Sequence, residues 1–261
     1  MNEASKLNVN CDFFTGKAVD SIAQITFKEN LLLRAIDLKC KEDFFDYLDI
    51  VSKNESIKVV LITGSSKKIS CEEYISFYLK LLKSDHSKEI ERLYNAVNQI
   101  VLRIAGFNKM VIHADTGNII SLFLNISLAC DYRIIGDNTI FKNPNIDLDV
   151  LPKGGGVFFL SKILGRGKTF EILLSRKELD AIDALKLGIV DKVVPSQEID
   201  EASLKIASEF AQNPPHLLSG IKKLMAYCMN DLAGYLDYEN EVLRRTIISS
   251  EFRAKLEILE C

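Results

Sequence analysis

The chain lacks the paired or clustered cysteines that would announce a disulfide framework or a metal centre. Its six cysteines stand at positions 11, 40, 71, 130, 228 and 261, with no CxxC pair among them, and this scatter predicts free thiols in a reducing cytoplasm and no bound metal. There is no apolar run approaching the ~20 residues that span a bilayer, and the first residues, MNEASKLNVNCDFF, do not join a charged start to an apolar core. No internal repeat or low-complexity tract is found. Neither sign of charge is in excess: 33 basic residues face 36 acidic ones, for a formal net charge of −3. That balance leaves no electrostatic footprint for nucleic acid. No nucleic acid and no membrane are therefore expected as partners, which leaves small molecules and further copies of the chain.

What is present is a globular composition, 48% hydrophobic and 26% charged over 261 residues, enough for one sizeable core with an appended subdomain. Ser21 to Phe27 sets Ile22, Ala23 and Ile25 among polar neighbours and predicts a strand. Val59 to Thr63, VVLIT, is a β-branched run expected of a buried one. Between them, Phe44, Phe45, Leu48 and Val51 fall at helical spacing. Stretches 72–82 and 88–104 repeat apolar residues at three and four (Ile90, Leu93, Val97, Ile100, Val101, Ile104) and predict two helices, the second stopped by Gly106. Beyond Gly156 an apolar helix is expected to break at Gly165-Arg166-Gly167. After Pro195 one stripe runs through Ile199, Ala202, Ile206 and Phe210. Past Asn213-Pro214-Pro215 a second runs through Leu217, Leu218, Ile221, Leu224, Met225 and Cys228, and a last helical stretch covers 235–259. The expected division is a core over residues 1–196 and a helical oligomerisation region over 197–261, whose apolar stripes have few strands to cover.

The centre of the chain is Val111 to Gly156. It predicts a strand, a turn at Thr116-Gly117, an amphipathic helix ending at Ala129-Cys130-Asp131, a strand over Tyr132 to Ile135, and a third extended run closed by Pro152 and three glycines. Within it, Leu128-Ala129-Cys130-Asp131-Tyr132-Arg133-Ile134 with Phe141, Pro144, Leu151-Pro152 and Gly154-Gly155-Gly156 resembles the core signature of the crotonase family, the enoyl-CoA hydratases and isomerases. LLSRKELDAIDALKLGIVDKVVP, Leu173 to Pro195, is similar to that family's stretch of strand end, short helix and closing Val-Val-Pro. The resemblance spans roughly Ile22 to Glu251. It implies an α/β fold, a crotonase-like spiral of strand-strand-helix turns with a C-terminal helical region. It also implies an acyl-CoA thioester as ligand, with coenzyme A arriving as part of the substrate and not as a bound cofactor, and homotrimers or homohexamers formed through the C-terminal helices.

Thioester chemistry of this kind needs two backbone N–H groups aimed at the carbonyl oxygen, where enolate-like charge develops. Carried over by position, the resemblance implies Glu73 as the first donor, within Ile69-Ser70-Cys71-Glu72-Glu73-Tyr74, and Leu122 as the second, within Ser121-Leu122-Phe123. Family glycines are replaced at both places, and a leucine there is large enough to occupy the space of a thioester. The two glutamates of the hydratases fall on Asn125 and Asn145, where an amide can orient water but cannot take its proton. If residues 145–150 are extended, Asn145, Asp147 and Asp149 share one face. Asp149 is then the candidate single base of a double-bond isomerisation, with Asp147, Glu73 and Asp115 as remoter carboxylates. Lys28 and Arg34 are the expected cations for the CoA phosphates. The three glycines could present N–H groups to a phosphate or carbonyl, although glycines before a helix more often allow close packing. His113 lies on the strand leading into the central turn, where it reads as a satisfied strand histidine that could face a cavity. Cys71 has no partnered histidine.

Two readings follow. In one, the protein is an enzyme of fatty-acid metabolism acting on an acyl thioester, of isomerase or lyase type, with Glu73 and Leu122 holding the carbonyl. In the other it is a binding or assembly subunit of the same shape that has lost catalysis. Both predict negligible hydration of crotonyl-CoA, because one lost acid-base group forfeits roughly 10²–10⁴-fold in rate and two are missing. A spectrophotometric assay returning turnover near the ~10 per second median of enzymes would contradict the assignment of Asn125 and Asn145.

Overall fold

Strands that are apolar on both faces decide the architecture. The computed structural model describes residues 6–28, 38–65, 67–83 and 87–259. Seven strands form one sheet in the order β1-β2-β3-β4-β5-β7-β10: β1 (Val9–Asn10), β2 (Phe14–Val19), β3 (Ile22–Phe27), β4 (Val59–Thr63), β5 (Met110–Asp115), β7 (Tyr132–Gly136) and β10 (Lys192–Val194). The first three pair antiparallel and the rest parallel. Every residue of β4 is buried, as expected where helices cover both faces of a parallel sheet.

Alternate side chains divide the core. Ile22, Val59, Leu61, Ile112, Ala114, Ile134 and Val194 pack under α7 (Ile199–Ala211), against its Ile206, Ala207 and Ala211. Ala23, Ile25, Val60, Ile62, Val111 and Ile135 turn the other way, into the main core with α1 (Leu38–Lys53) and α3 (Ser87–Ala105). His113 and Asp115, two apart on β5 and out of phase with Ile112 and Ala114, face that inner side.

A smaller sheet, in the order β6-β8-β9, joins β6 (Asn118–Ile120), β8 (Ile140–Lys142) and β9 (Leu179–Asp180). The chain runs β5, β6, α4 (Ser121–Ser127), then β7, β8, α5 (Gly156–Leu173), so each turn gives one strand to each sheet before a helix. This is the expected spiral of strand, strand and helix. A short α6 (Ala181–Lys186) leads to β10. The break anticipated at 165–167 is a kink inside α5, where Gly165 stands at φ 74°, ψ 169°. α2 (Cys71–Lys83) precedes α3. The C-terminal helices are α8 (Pro215–Tyr227), α9 (Leu232–Ile247) and α10 (Ser250–Leu259), so the single stretch expected over 235–259 is two helices.

The extended run expected at 145–150 is instead a turn. Pro144 fixes its start, its carbonyl accepts from Asp147 N–H at 3.2 Å and Leu148 N–H at 3.4 Å, and Val150 N–H donates to Asn145 O at 3.0 Å. Asn145 is therefore turned inward, while Asp147 and Asp149 are exposed. The three do not share a face.

One buried cluster closes the spiral. Lys153, 2% exposed, donates to Glu239 Oε2 on α9 at 2.7 Å and to Asn98 Oδ1 on α3. The same carboxylate accepts the N–H of Gly154 at 3.1 Å and of Gly155 at 3.0 Å. Those glycines stand at φ 90° and 76°, the left-handed region that side chains resist. Asn98 Nδ2 returns to Leu236 O on α9 at 3.2 Å. Removing one partner of a buried pair leaves the other charge uncompensated, a cost of about 3–5 kcal/mol. Glu239→Ala should therefore lower Tm by roughly 10 °C in a chain of this size, whereas Glu91→Gln, at the exposed pair with Arg244, should leave it nearly unchanged. Equal, small shifts in a thermal melt would show that the cluster is not what holds α9 in place.

Candidate functional site

The two loops expected to supply backbone donors lie at the starts of α2 and α4. At the first, Ser70 caps the helix: its Oγ accepts from Glu73 N–H at 3.1 Å, and Glu73 Oε2 accepts from Ser70 N–H at 2.8 Å. This reciprocal pair is a capping box, and it takes the N–H assigned to a thioester carbonyl. Ser70-Cys71-Glu72-Glu73 carries that pattern openly, so the cap was legible in the sequence. At the second loop, Ile120 gives α4 no side-chain cap, and the Leu122 N–H lies in the uncapped first turn. The Leu122 side chain is buried beside Gly154.

Asn125 and Asn145 are both buried and each hydrogen-bonds within the protein. Asn125, 1% exposed, donates from Nδ2 to Lys153 O at 2.9 Å. It lies so close over Gly156 that a methyl group there would fall 2.5 Å from Nδ2. Asn145 accepts from the Tyr74 hydroxyl at 2.9 Å and donates to Ser121 Oγ at 2.9 Å. Burial pushes the Tyr74 phenol well above its usual range, so it remains a donor. Tyr74 follows Glu73 and Ser121 precedes Leu122; the chain Tyr74, Asn145, Ser121 thus bridges the starts of α2 and α4. Tyr74, Ser121, Lys153 and Glu239 went unrecognised in the sequence because no local pattern pairs residues 24 to 86 positions apart.

The remaining candidates are dispersed. Asp147 is exposed and paired with Arg176. Asp149 is exposed at φ 51°, closing the turn after Pro144. Lys28 donates to Asn10 Oδ1 and Cys11 O, both at 2.6 Å, and so ties down the N-terminal strands. Arg34 lies outside the described residues. Gly154 and Gly155 spend their N–H groups on Glu239. Burial pushes the Cys71 thiol up, away from thiolate.

Two cavities flank the first loop. A polar cleft of about 450 Å³ runs past Cys71, Glu72, Lys142 and Arg176. An apolar cavity of about 70 Å³ lies at the carboxyl ends of β4 and β5, among Phe27, Phe44, Ile62, Ile104 and Phe123. His113 and Asp115 line it, so His113 takes the cavity-facing place that the sequence left open to it. Asp115 accepts from Thr116 N–H at 2.8 Å and pairs with Lys68. Its carboxylate rests directly on Gly64, where any Cβ would collide with it. Burial lowers the His113 pKa, with Asp115 opposing and Lys68 and Arg133 reinforcing the shift.

Comparison with known proteins places these features. The family model described as enoyl-CoA hydratase/isomerase matches residues 17–259. The chain is 21% identical to the trans-2-decenoyl-[acyl-carrier-protein] isomerase of Streptococcus mutans, over 90% of this chain and 89% of that one. It is 24% identical to the short-chain-enoyl-CoA hydratase of Clostridium acetobutylicum, over 84% of each. The enoyl-CoA hydratase structure from Bacillus halodurans superposes with a TM-score of 0.82 at 20% identity, covering 95% of this chain and all of that one.

The two asparagines should answer differently to a carboxylate. Asn125→Glu replaces a donor to Lys153 O with a buried unpaired charge and should cost about 3 kcal/mol or more. Asn145→Asp leaves two hydroxyls, Tyr74 and Ser121, that can both rotate to donate, and should cost about 1 kcal/mol. Chemical denaturation giving equal losses for the two variants would contradict these hydrogen-bond assignments.

Proposed function

Because the chain belongs to the enoyl-CoA hydratase/isomerase family, we propose that it binds an acyl-CoA thioester at the loops opening α2 and α4 without adding water to it. The observation that carries this reading is the state of Asn125 and Asn145: both amides are buried and hydrogen-bonded to protein partners, and an amide cannot take a proton from water. The uncapped Leu122 N–H supports a remaining carbonyl contact, and Lys142, Arg176 and Lys177 along the polar cleft supply cations for phosphate. A second reading, double-bond isomerisation, requires one base in place of two acid-base groups. The likeness to the Streptococcus mutans isomerase over nine-tenths of the chain favours it.

The same reading includes assembly into a homotrimer or a pair of trimers through the helices beyond residue 197. Leu217, Ile221, Leu224 and Met225 form one exposed stripe along α8, with Leu224 74% and Met225 51% accessible, and an apolar stripe of this kind marks an interface.

Two measurements test the proposal. Saturating acyl-CoA should raise Tm, since ligand at 100 times its Kd adds about 2.7 kcal/mol; a panel of acyl-CoAs producing no shift would sink the binding claim. Light scattering should return three or six times the chain mass, and Ile221→Glu with Leu224→Glu should reduce it to one. A monomer in the unsubstituted protein at micromolar concentration would overturn the assembly.

A further inference from the structure

The apolar cavity at the ends of β4 and β5 is unused by the site built so far, yet its construction is that of a ligand pocket. Ligands of open parallel sheets bind beyond the carboxyl ends of the strands, and this cavity lies there, with Gly64, Ser65 and Lys67 in its lining. Its wall is mostly aromatic and aliphatic, with Lys68, His113, Asp115 and Asn118 among its polar residues, the usual make-up of a small-molecule site. Ile69 and Asn118 line both this cavity and the polar cleft, so these two side chains form the partition between them.

We propose that this cavity receives the acyl end of the thioester, a short chain of about three carbons, with the His113 imidazole forming part of the wall that ends it. The inference rests on the acyl-thioester reading above. Size sets the chain length: a cavity of roughly 150 Å³ accepts benzene, so about 70 Å³ accommodates about half as many carbons. His113 sits between Ile62 of β4 and Arg133 of β7 in the sheet register, which fixes its ring on the cavity side. Asp115, held by Lys68 and seated on Gly64, is the neighbouring charge on that face. The polar head of the ligand remains in the cleft, and the acyl group passes the partition at Ile69 and Asn118.

The test is a change of chain-length preference when the cavity is resized. Affinities of acetyl-, butyryl-, hexanoyl- and decanoyl-CoA are measured by titration calorimetry for the unsubstituted protein, His113→Ala and Ile104→Phe. The unsubstituted protein should favour butyryl-CoA, since each methylene that enters adds about fourfold in affinity until the cavity is full. His113→Ala should move the optimum to hexanoyl-CoA, and Ile104→Phe should move it to acetyl-CoA. If circular dichroism shows either variant unfolded, Ile104→Val enlarges the cavity more gently and should strengthen hexanoyl-CoA relative to butyryl-CoA. Binding with a decanoyl optimum, or with an optimum unmoved by the folded variants, overturns the assignment of this cavity while leaving acyl-CoA binding intact. No binding by any thioester overturns the functional reading itself.

Discussion

The carboxylate of Glu239 holds three separate parts of this molecule together. It lies in a region from which water is excluded, and there a charge is tolerated only when opposite charge and hydrogen-bond donors surround it. Lys153 and the N–H groups of Gly154 and Gly155 meet that requirement. The glycines can do so only because they adopt a backbone conformation denied to larger residues. Satisfying one carboxylate thus fixes the start of α5, the position of α9 and, through Lys153 O, the orientation of Asn125.

This explains why part of the architecture was legible in the sequence and part of the site was not. β-branched runs such as Val59 to Thr63 and the stripe along α3 announce their elements through period and composition. The signature Cys130-Asp131-Tyr132-Arg133 is legible too, and the structure shows what it is for. Asp131 Oδ2 accepts from Val111 N–H at 2.6 Å and from Lys222 at 2.7 Å. Arg133 donates to Cys130 O and Ile189 O and pairs with Asp191 at 2.9 Å. These residues join strand ends to later segments. The turn after Pro144 was misread because alternation of apolar and polar residues over six positions suits a strand as well as a turn whose aspartates face solvent.

At the two asparagines the logic reverses. Asn125 and Asn145 occupy places where the resemblance implies titratable groups, and the protein has built each amide into its scaffold. An amide offers a donor and an acceptor at once, and Asn145 uses both, receiving from Tyr74 and giving to Ser121. Sequence alone identifies such a replacement; only packing shows that the surroundings have adapted to it. His113 illustrates the opposite case, since nothing in its neighbours along the chain distinguishes a histidine against packed core from one that borders a void.

Lys222 carries a last consequence. It belongs to α8, the helix with the exposed apolar stripe, yet its own side chain is buried and donates to Ile104 O, Lys109 O and Asp131. Asp131 in turn holds the N–H of Val111, on the strand that carries His113. An exposed apolar stripe is thus joined by two hydrogen bonds to the strand bordering a cavity. If copies of the chain meet on α8, thermodynamic reciprocity requires that whatever that contact does to the cavity, an occupant of the cavity does to the contact.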